Sequence, residues 1–329
     1  MNHQPLPKTI NWGIIGLGNI AHKFATDLLI IENAKLYAVA SRNQNKADAF
    51  ATKYNAVKAY DSYGALAKDP NVDAVYIATP HALHKENTLL CLEHGIAVLC
   101  EKPFAMNAKE VSEMVVKAKA KNVLLMEALW TYFLPHYQYV LKALNEKKYG
   151  EILKIEADFG FNRAFDNSHR LFNKSLGGGS LLDIGIYPIF VALSTLGIPK
   201  HIDAKASFFH NGADASCNMV FKYDDNVKAF LKSTLTEDTP TEAIFYCETG
   251  TIKINSMFHM PTTVTLVPNE GVNETLDFGY NTIGYNYEAI HFNQLLLDGK
   301  TESDVMTFKF SKQLINTLDH VRSRINLQY

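Results

Sequence analysis

The sequence predicts an α/β protein: an N-terminal, doubly wound parallel sheet of the Rossmann type, then an α+β domain with a large, open, mostly antiparallel sheet. Three observations predict it. Short apolar runs alternate with helical patterns through the first 126 residues, as in a parallel sheet covered on both faces. A glycine-rich turn, Gly16-Leu17-Gly18-Asn19-Ile20-Ala21, directly follows the first apolar run. Beyond residue 150 the pattern becomes a series of alternating strands joined by short turns. At 329 residues the chain accommodates two domains, each with its own core, placed at 1–126 and 127–329.

In order, residues 11–16 read as a strand, and Phe24, Leu28 and Ile31 mark one face of the helix that follows. Residues 36–41 are the second strand, 45–54 a helix and 72–78 the next strong strand. A helix around 83–94 stops at Gly95, the residue type expected just past a helix C-terminus. Residues 96–100 form another strand, and Asn107 with Glu110 gives an N-cap signature for a helix reaching about Lys121. Residues 123–126 close the alternation. Pro135 opens a helix running to Lys147, and Leu153, Ile155, Ala157, Phe159 and Phe161 then alternate with polar residues as in a half-buried strand. Further strands are expected at 206–211, 214–223, 227–236, 243–248, 251–255 and 262–267, and terminal helices at 285–298 and 307–325.

Composition narrows the function classes. Hydrophobic residues make up 47% and charged residues 20%, as in an ordinary globular protein. A net charge of −2 provides no basic field, so nucleic acid is not an expected partner. Cys91, Cys100, Cys217 and Cys247 are scattered without Cys-x-x-Cys spacing and read as buried thiols of a reducing compartment. Residues 1–5 show no signal-peptide pattern, and no run approaches the ~18 apolar residues of a membrane span. A cytoplasmic protein without membrane contact is expected. The histidines lack ligand spacing, so no metal site is expected.

Gly16 and Gly18 match a dinucleotide-binding fingerprint. The first glycine permits a tight turn, the second lets the backbone approach a pyrophosphate, and Ala21 allows close packing of a helix whose N-terminus faces the phosphates. Asn19 and Ile20 open that helix and join the cofactor-binding set. An NAD site usually carries an acid at the end of the second strand for the ribose hydroxyls; this chain has Ser41-Arg42-Asn43 instead. A hydroxyl and a guanidinium suit a 2′-phosphate, so Ser41 and Arg42 favour NADP over NAD. Thr79 ends the next strand and should line the same crevice; His84 is placed in the cofactor set, although histidines such as it and His81 are more often helix-terminus residues than catalysts.

Glu101-Lys102-Pro103 ends the strand at 96–100, so Glu101 and Lys102 reach the strand ends where ligands bind in such sheets. In the second half, the stretch from Gly177 to Pro188 offers Asp183 and Tyr187 as candidates for moving the hydroxyl proton. If helical, they share a face, and Pro188 would kink or begin the regular helix. Tyrosine is a poor base near neutrality, and an ammonium such as Lys102 beside it would favour phenolate. A structural tyrosine beside a capping aspartate is the other reading. Arg163, His169, Arg170 and Lys174 precede the glycines; Arg163 and Arg170 are candidate substrate contacts or part of a solvated loop. Trp130 is a candidate pocket wall or core residue.

With these motifs in place, the chain resembles the glucose–fructose oxidoreductase, inositol dehydrogenase and rhizopine-catabolism (Gfo/Idh/MocA) family over nearly its whole length. The markers are Glu101-Lys102-Pro103 and Asp183-Ile184-Gly185-Ile186-Tyr187. Ala40-Ser41-Arg42, Leu99-Cys100-Glu101-Lys102-Pro103 and Met126-Glu127-Ala128-Leu129-Trp130 look most like the dimeric dihydrodiol dehydrogenase branch, which includes NADP-dependent xylose dehydrogenases. The resemblance implies that Lys102 contacts nicotinamide ribose and substrate hydroxyl, that Tyr187 is the acid/base, and that dimers form through the open face of the second sheet. Inositol-dehydrogenase-like members often carry histidine at the position of Tyr187, which argues against an inositol substrate. The expected protein is an NADP(H)-dependent oxidoreductase acting on a sugar-like alcohol or trans-dihydrodiol. An NAD-dependent glycosidase-like enzyme and a nucleotide-sensing regulator are the rival readings.

Overall fold

The computed structural model describes residues 8–329; the expected lack of a leader in residues 1–5 falls outside them. The chain divides into two compact units. Of the described residues, unit 1 comprises those up to 105, 109–130 and 282–311, and unit 2 comprises 106–108, 131–281 and 312–329. The sequence suggested two contiguous blocks, whereas residues 282–311 return to the first unit.

Unit 1 alternates β1 (Ile10–Ile15), α1 (Asn19–Leu28), β2 (Ala34–Ala40), α2 (Gln44–Tyr54), β3 (Lys58–Tyr60), α3 (Tyr63–Ala67), β4 (Ala74–Ile77), α4 (His84–Glu93), β5 (Ala97–Glu101), α5 (Ala108–Lys121) and β6 (Leu125–Ala128). The six strands are parallel, in the order β3-β2-β1-β4-β5-β6. That is the doubly wound arrangement, with its reversal of direction at β1 and β4. Helices cover both faces, so every residue of the central strands β4 and β5, and of the edge strand β6, is buried. Local chemistry sets the helix ends. The Asn43 side chain accepts the Lys46 N–H at 3.1 Å to start α2, and Asn55 in the left-handed region stops it.

The returning segment carries α8 (Tyr285–Leu297) and leads into α9 (Phe308–Arg324), which passes into unit 2 after Ser311. A buried carboxylate anchors it. Asp27 of α1 accepts the backbone N–H groups of Ile283, Gly284 and Tyr285 at 3.1, 2.7 and 2.8 Å, capping α8 from a neighbouring helix. Trp12 adds a bond from its indole N–H to Asn293 at 3.0 Å.

Unit 2 begins with α6 (Pro135–Asn145), its proline at the first helical position where no N–H is needed. Then come β7 (Ile152–Gly160), α7 (Ile186–Leu196), β8 (His201–Phe208), β9 (Asp214–Lys222), β10 (Lys228–Thr234), β11 (Ala243–Cys247), β12 (Gly250–Ile254), β13 (Val264–Pro268) and β14 (Glu274–Leu276). They form one eight-stranded sheet, β14-β13-β12-β11-β7-β10-β9-β8, antiparallel except where β7 pairs parallel with β10. One face buries Ile155, Ala157, Phe159, Ala229, Leu231 and Phe245, with α7 packed against β7 and β10. The opposite face is mixed, with Lys154, Glu156, Lys232 and the exposed Phe230.

The strand expected at 206–211 lies earlier, as β8, and the short β3, α3 and β14 were not anticipated. One helical stretch, Lys174–Leu196, is long and apolar enough to cross a membrane, although no such run was expected; 94% of its most apolar window is buried inside unit 2, as in a core helix.

Candidate active site

In unit 1 the strand ends converge at the switch point. Gly16 follows β1 with φ +87°, and a Cβ there would stand 2.8 Å from the backbone of Ala78 and Thr79, so no other residue fits. Its N–H points to Ala40 O at 3.4 Å, bringing the end of β2 alongside. Gly18 is the opposite case. A Cβ there would meet nothing within 4 Å, and Gly18 is the N-cap of α1 without a side-chain cap or an acid in the first turn. The head of α1, at exposed Asn19 and half-buried Ile20, therefore begins beside a glycine without a side-chain cap. A tight turn, a clear approach and an uncapped helix N-terminus fit a dinucleotide pyrophosphate.

Ser41 is buried at the end of β2, and its hydroxyl accepts the Asn43 N–H at 3.3 Å. Arg42 is exposed, and its guanidinium interacts with the Tyr63 hydroxyl, partly offsetting the burial that raises the tyrosine pKa. The strand end carries no acid. Thr79 is buried, its hydroxyl oxygen accepting from Asn87 Nδ2 at 3.2 Å. His84, expected to touch the cofactor, is instead fully enclosed. Its Nδ1 lies 2.8 Å from Pro103 O and its Nε2 2.9 Å from Thr79 O. Burial pushes its pKa down to about 3. As a neutral ring it donates to only one of these carbonyls, but both nitrogens face backbone oxygens and neither is open to a ligand.

Behind Lys102 is a group of buried acids that sequence reasoning missed, apart from Glu101 itself. Glu101 accepts the Tyr76 hydroxyl on Oε1 and the Lys102 N–H on Oε2, the latter at 3.1 Å. Glu127 of β6 accepts the Phe104 N–H at 3.0 Å, and burial pushes its pKa up to about 7, with the Ser311 hydroxyl opposing. Glu288 of α8 is wholly buried, and burial followed by the nearby Glu101 charge pushes it well above the usual carboxylate range. Lys102 itself is half-buried, on the segment these groups fix. Trp130 is buried and stacked on Tyr285 with ring centroids 4.3 Å apart and planes at 11°, a packing role rather than an open wall.

In unit 2, Asp183 and Tyr187 lie on one helical stretch, as the sequence allowed. It opens with a π turn over Leu181–Gly185 that runs directly into α7, and Pro188, which has no N–H to give the preceding turn, follows that widened turn. Asp214 holds the start: its Oδ2 accepts the Ser180 hydroxyl at 2.8 Å and the Leu181 N–H at 2.6 Å. Gly179, at φ +132°, must be glycine, since a Cβ would stand 2.0 Å from Asp214 Oδ1. Asp183 is paired with Arg170 at 3.1 Å, so this arginine orients the acid beside the candidate tyrosine. Arg163 is exposed, with its N–H on Leu235 O at 3.1 Å. Burial, then the charges of Arg163 and Arg170, push the nearby His169 pKa down.

Tyr187 is buried beside a pair of aromatic rings, with centroids 5.7 Å from Phe159 and 5.0 Å from His259. Phe159 and His259 are themselves stacked at 4.2 Å. His259 is the residue the sequence did not reveal. It sits in an irregular segment after β12, and nothing in its spacing connects it to Tyr187. Among the described residues no group of three or more His, Cys, Asp or Glu could hold a metal ion.

Known proteins set this geometry in a family. The oxidoreductase family with an NAD-binding Rossmann fold (GFO_IDH_MocA) matches residues 10–129, and the GFO/IDH/MocA C-terminal domain matches residues 137–253. The chain is 35% identical over 328 residues to a trans-1,2-dihydrobenzene-1,2-diol dehydrogenase of Xenopus tropicalis, covering 97% of this chain and 98% of that protein. It is equally identical, with the same coverage, to an NADP(+)-dependent scyllo-inositol 2-dehydrogenase of Bacillus subtilis. The argument against an inositol substrate therefore does not separate the chain from its relatives. A 3-ketoreductase of Actinomadura kijaniata, solved with NADP and TDP-benzene, superposes with a TM-score of 0.88 at 25% identity, covering 97% of this chain and 98% of that one. Fold, motifs and relatives agree, and the chain belongs to the Gfo/Idh/MocA oxidoreductase family.

Proposed function

We propose that the protein is an NADP(H)-dependent dehydrogenase acting on a sugar-like alcohol or a trans-dihydrodiol. The observation that carries the cofactor half is the switch point of unit 1. Gly16 is wedged against the backbone of the β4 end, Gly18 is open, and the neighbouring strand end offers Ser41 and Arg42 with no acid. In that reading Arg42 takes the 2′-phosphate, and Gly16, Gly18, Asn19 and Ile20 take the pyrophosphate through backbone groups.

The nicotinamide, when bound, supplies the redox chemistry at its C4. The chain's own residues do the rest. Lys102, on a segment fixed by Glu101, binds the ribose and the substrate hydroxyl. Tyr187 accepts the hydroxyl proton at its phenol oxygen in oxidation and returns it in reduction. Asp183, held by Arg170, orients the helical turn beside it. Arg163 and Arg170 serve the substrate's polar groups.

The relatives' substrates support a finer reading. A trans-dihydrodiol and scyllo-inositol share a six-membered carbon ring with adjacent trans hydroxyls, the class we assign here. Initial rates with NADP+ and NAD+ over trans-dihydrodiols, inositols and aldoses test this. Turnover of ring trans-diols with NADP+ is expected; tight NADPH binding with no turnover across the panel would favour a regulator instead.

The same reading makes the protein a cytoplasmic homodimer. Four buried, unpaired thiols suit a reducing compartment. The mixed face of the eight-stranded sheet carries exposed Phe230 in a groove of about 430 Å³ with Val220 and Met219. Sedimentation velocity should give a dimer, and a monomer at micromolar concentration would end that assignment.

A further inference from the structure

Beside Tyr187 stands a ring whose chemistry the proposed reaction leaves unused. His259 stacks on Phe159 with centroids 4.2 Å apart and planes at 28°, and its centroid is 5.0 Å from that of Tyr187. Phe159, His259 and Tyr187 keep 8%, 7% and 5% of their surface accessible, whereas Phe258, Thr131 and His136, which hold the histidine's segment, keep none. A phenylalanine would stack on Phe159 as well; an imidazole there adds two polar nitrogens that packing does not need. The backbone around it is fixed from three places. The Thr131 hydroxyl donates to His259 O at 2.7 Å. His136 Nε2 lies 3.0 Å from Phe258 O and must donate to it, since a carbonyl only accepts; its Nδ1 faces the Tyr280 hydroxyl at 2.5 Å. The Phe258 N–H donates to Thr241 O at 3.1 Å, and Thr241 is itself held, its N–H donating to Asp158 at 2.8 Å. Met257 at φ 64° and the β-branched Thr241 at φ 54° both lie in the left-handed region, an uncommon conformation for such residues. Conformations of this kind persist where the surroundings over-determine them, and they cluster at functional sites.

We propose that His259 is a specificity-determining residue, its imidazole hydrogen-bonding a non-reacting ring hydroxyl of a substrate whose reacting hydroxyl is on Tyr187. A trans-dihydrodiol has one non-reacting hydroxyl and hydrocarbon over the rest of its ring. A cyclic polyol has a hydroxyl at every other carbon, and against a wall of Phe159 and Tyr187 rings alone these would give up water with nothing in return. The histidine supplies that return, so the site favours the polyhydroxylated ring. The inference rests on the assignment of Tyr187 above and refines its substrate class.

The test compares wild type, His259→Phe, His259→Gln and Tyr187→Phe in the full-length chain, with NADP+ and either scyllo-inositol or trans-1,2-dihydrobenzene-1,2-diol. The wild type should prefer scyllo-inositol. His259→Phe keeps a ring on Phe159 and removes both nitrogens. Its kcat/KM for scyllo-inositol should fall about 10–100-fold, chiefly through KM, while the dihydrodiol stays within about threefold. His259→Gln returns a donor and an acceptor, so it should turn over scyllo-inositol better than His259→Phe does. A wild type that prefers the dihydrodiol, an unchanged ratio between the two substrates in His259→Phe, or a His259→Gln no better than His259→Phe would each overturn the inference. Tyr187→Phe separates the two levels. Full turnover there, or a wild type that turns over neither substrate, would sink the reading on which the inference rests; an inactive Tyr187→Phe beside an unchanged ratio in His259→Phe would sink this inference alone.

Discussion

The two units prepare for chemistry in different ways. In unit 1 the proposed cofactor site is mostly backbone: a glycine turn, an uncapped helix N-terminus and a strand end with one exposed arginine. In unit 2 the proposed site is side chains gathered from distant places, with Arg170 on Asp183 and the stacked rings of Phe159 and His259 beside Tyr187. Backbone sites depend on where glycine is tolerated and where strands end, and both are local properties. Side-chain sites depend on tertiary packing. The comparison predicts that substitutions in unit 2 should damage turnover while sparing nucleotide affinity, and that substitutions at the unit 1 turn should do the reverse.

The largest effect is expected at Tyr187. Tyr187→Phe removes only the hydroxyl, so NADPH affinity should be unchanged while kcat falls ~10²–10⁴-fold. Normal turnover by this variant, or loss of NADPH binding, would break the division of labour. The next is Gly16→Ala, which places a methyl 2.8 Å from backbone atoms at a positive φ. Strain of about 1–3 kcal/mol is expected. It should appear as a lower Tm together with NADPH affinity weakened more than tenfold, roughly the measure of a displaced backbone donor or two. An unaltered NADPH titration would show that the turn does not hold the pyrophosphate.

How much could be read beforehand follows the same division. The parallel core was legible because strands buried on both faces appear as apolar runs punctuated by glycine and by helix caps, as at Asn43 and Gly95. The three-residue strands β3 and β14 are too short to show a period. Strand β8 was displaced because its inward residues after Ile202 are Ala204 and Ala206, a weak alternation beside the more apolar Phe208 and Phe209. The return of α8 to unit 1 depends on one buried carboxylate, Asp27, 256 or more residues away from the N–H groups it accepts. No local pattern announces such a bond. For the same reason His259, Glu127 and Glu288 were invisible, whereas Lys102 and Tyr187 stood in recognisable motifs. His84 misled because a histidine beside a strand end looks available until both ring nitrogens are found against carbonyls.

The most direct measurement is a fluorescence titration of NADPH and NADH against the wild type and Arg42→Ala. The wild type should prefer NADPH. The variant should lose that preference, with NADPH affinity falling about 10–100-fold and NADH affinity unchanged, the size of one charge-assisted contact to a phosphate. A wild type that prefers NADH, or an Arg42→Ala variant that still binds NADPH as tightly, would contradict an NADP(H) enzyme whose 2′-phosphate is held at the end of β2.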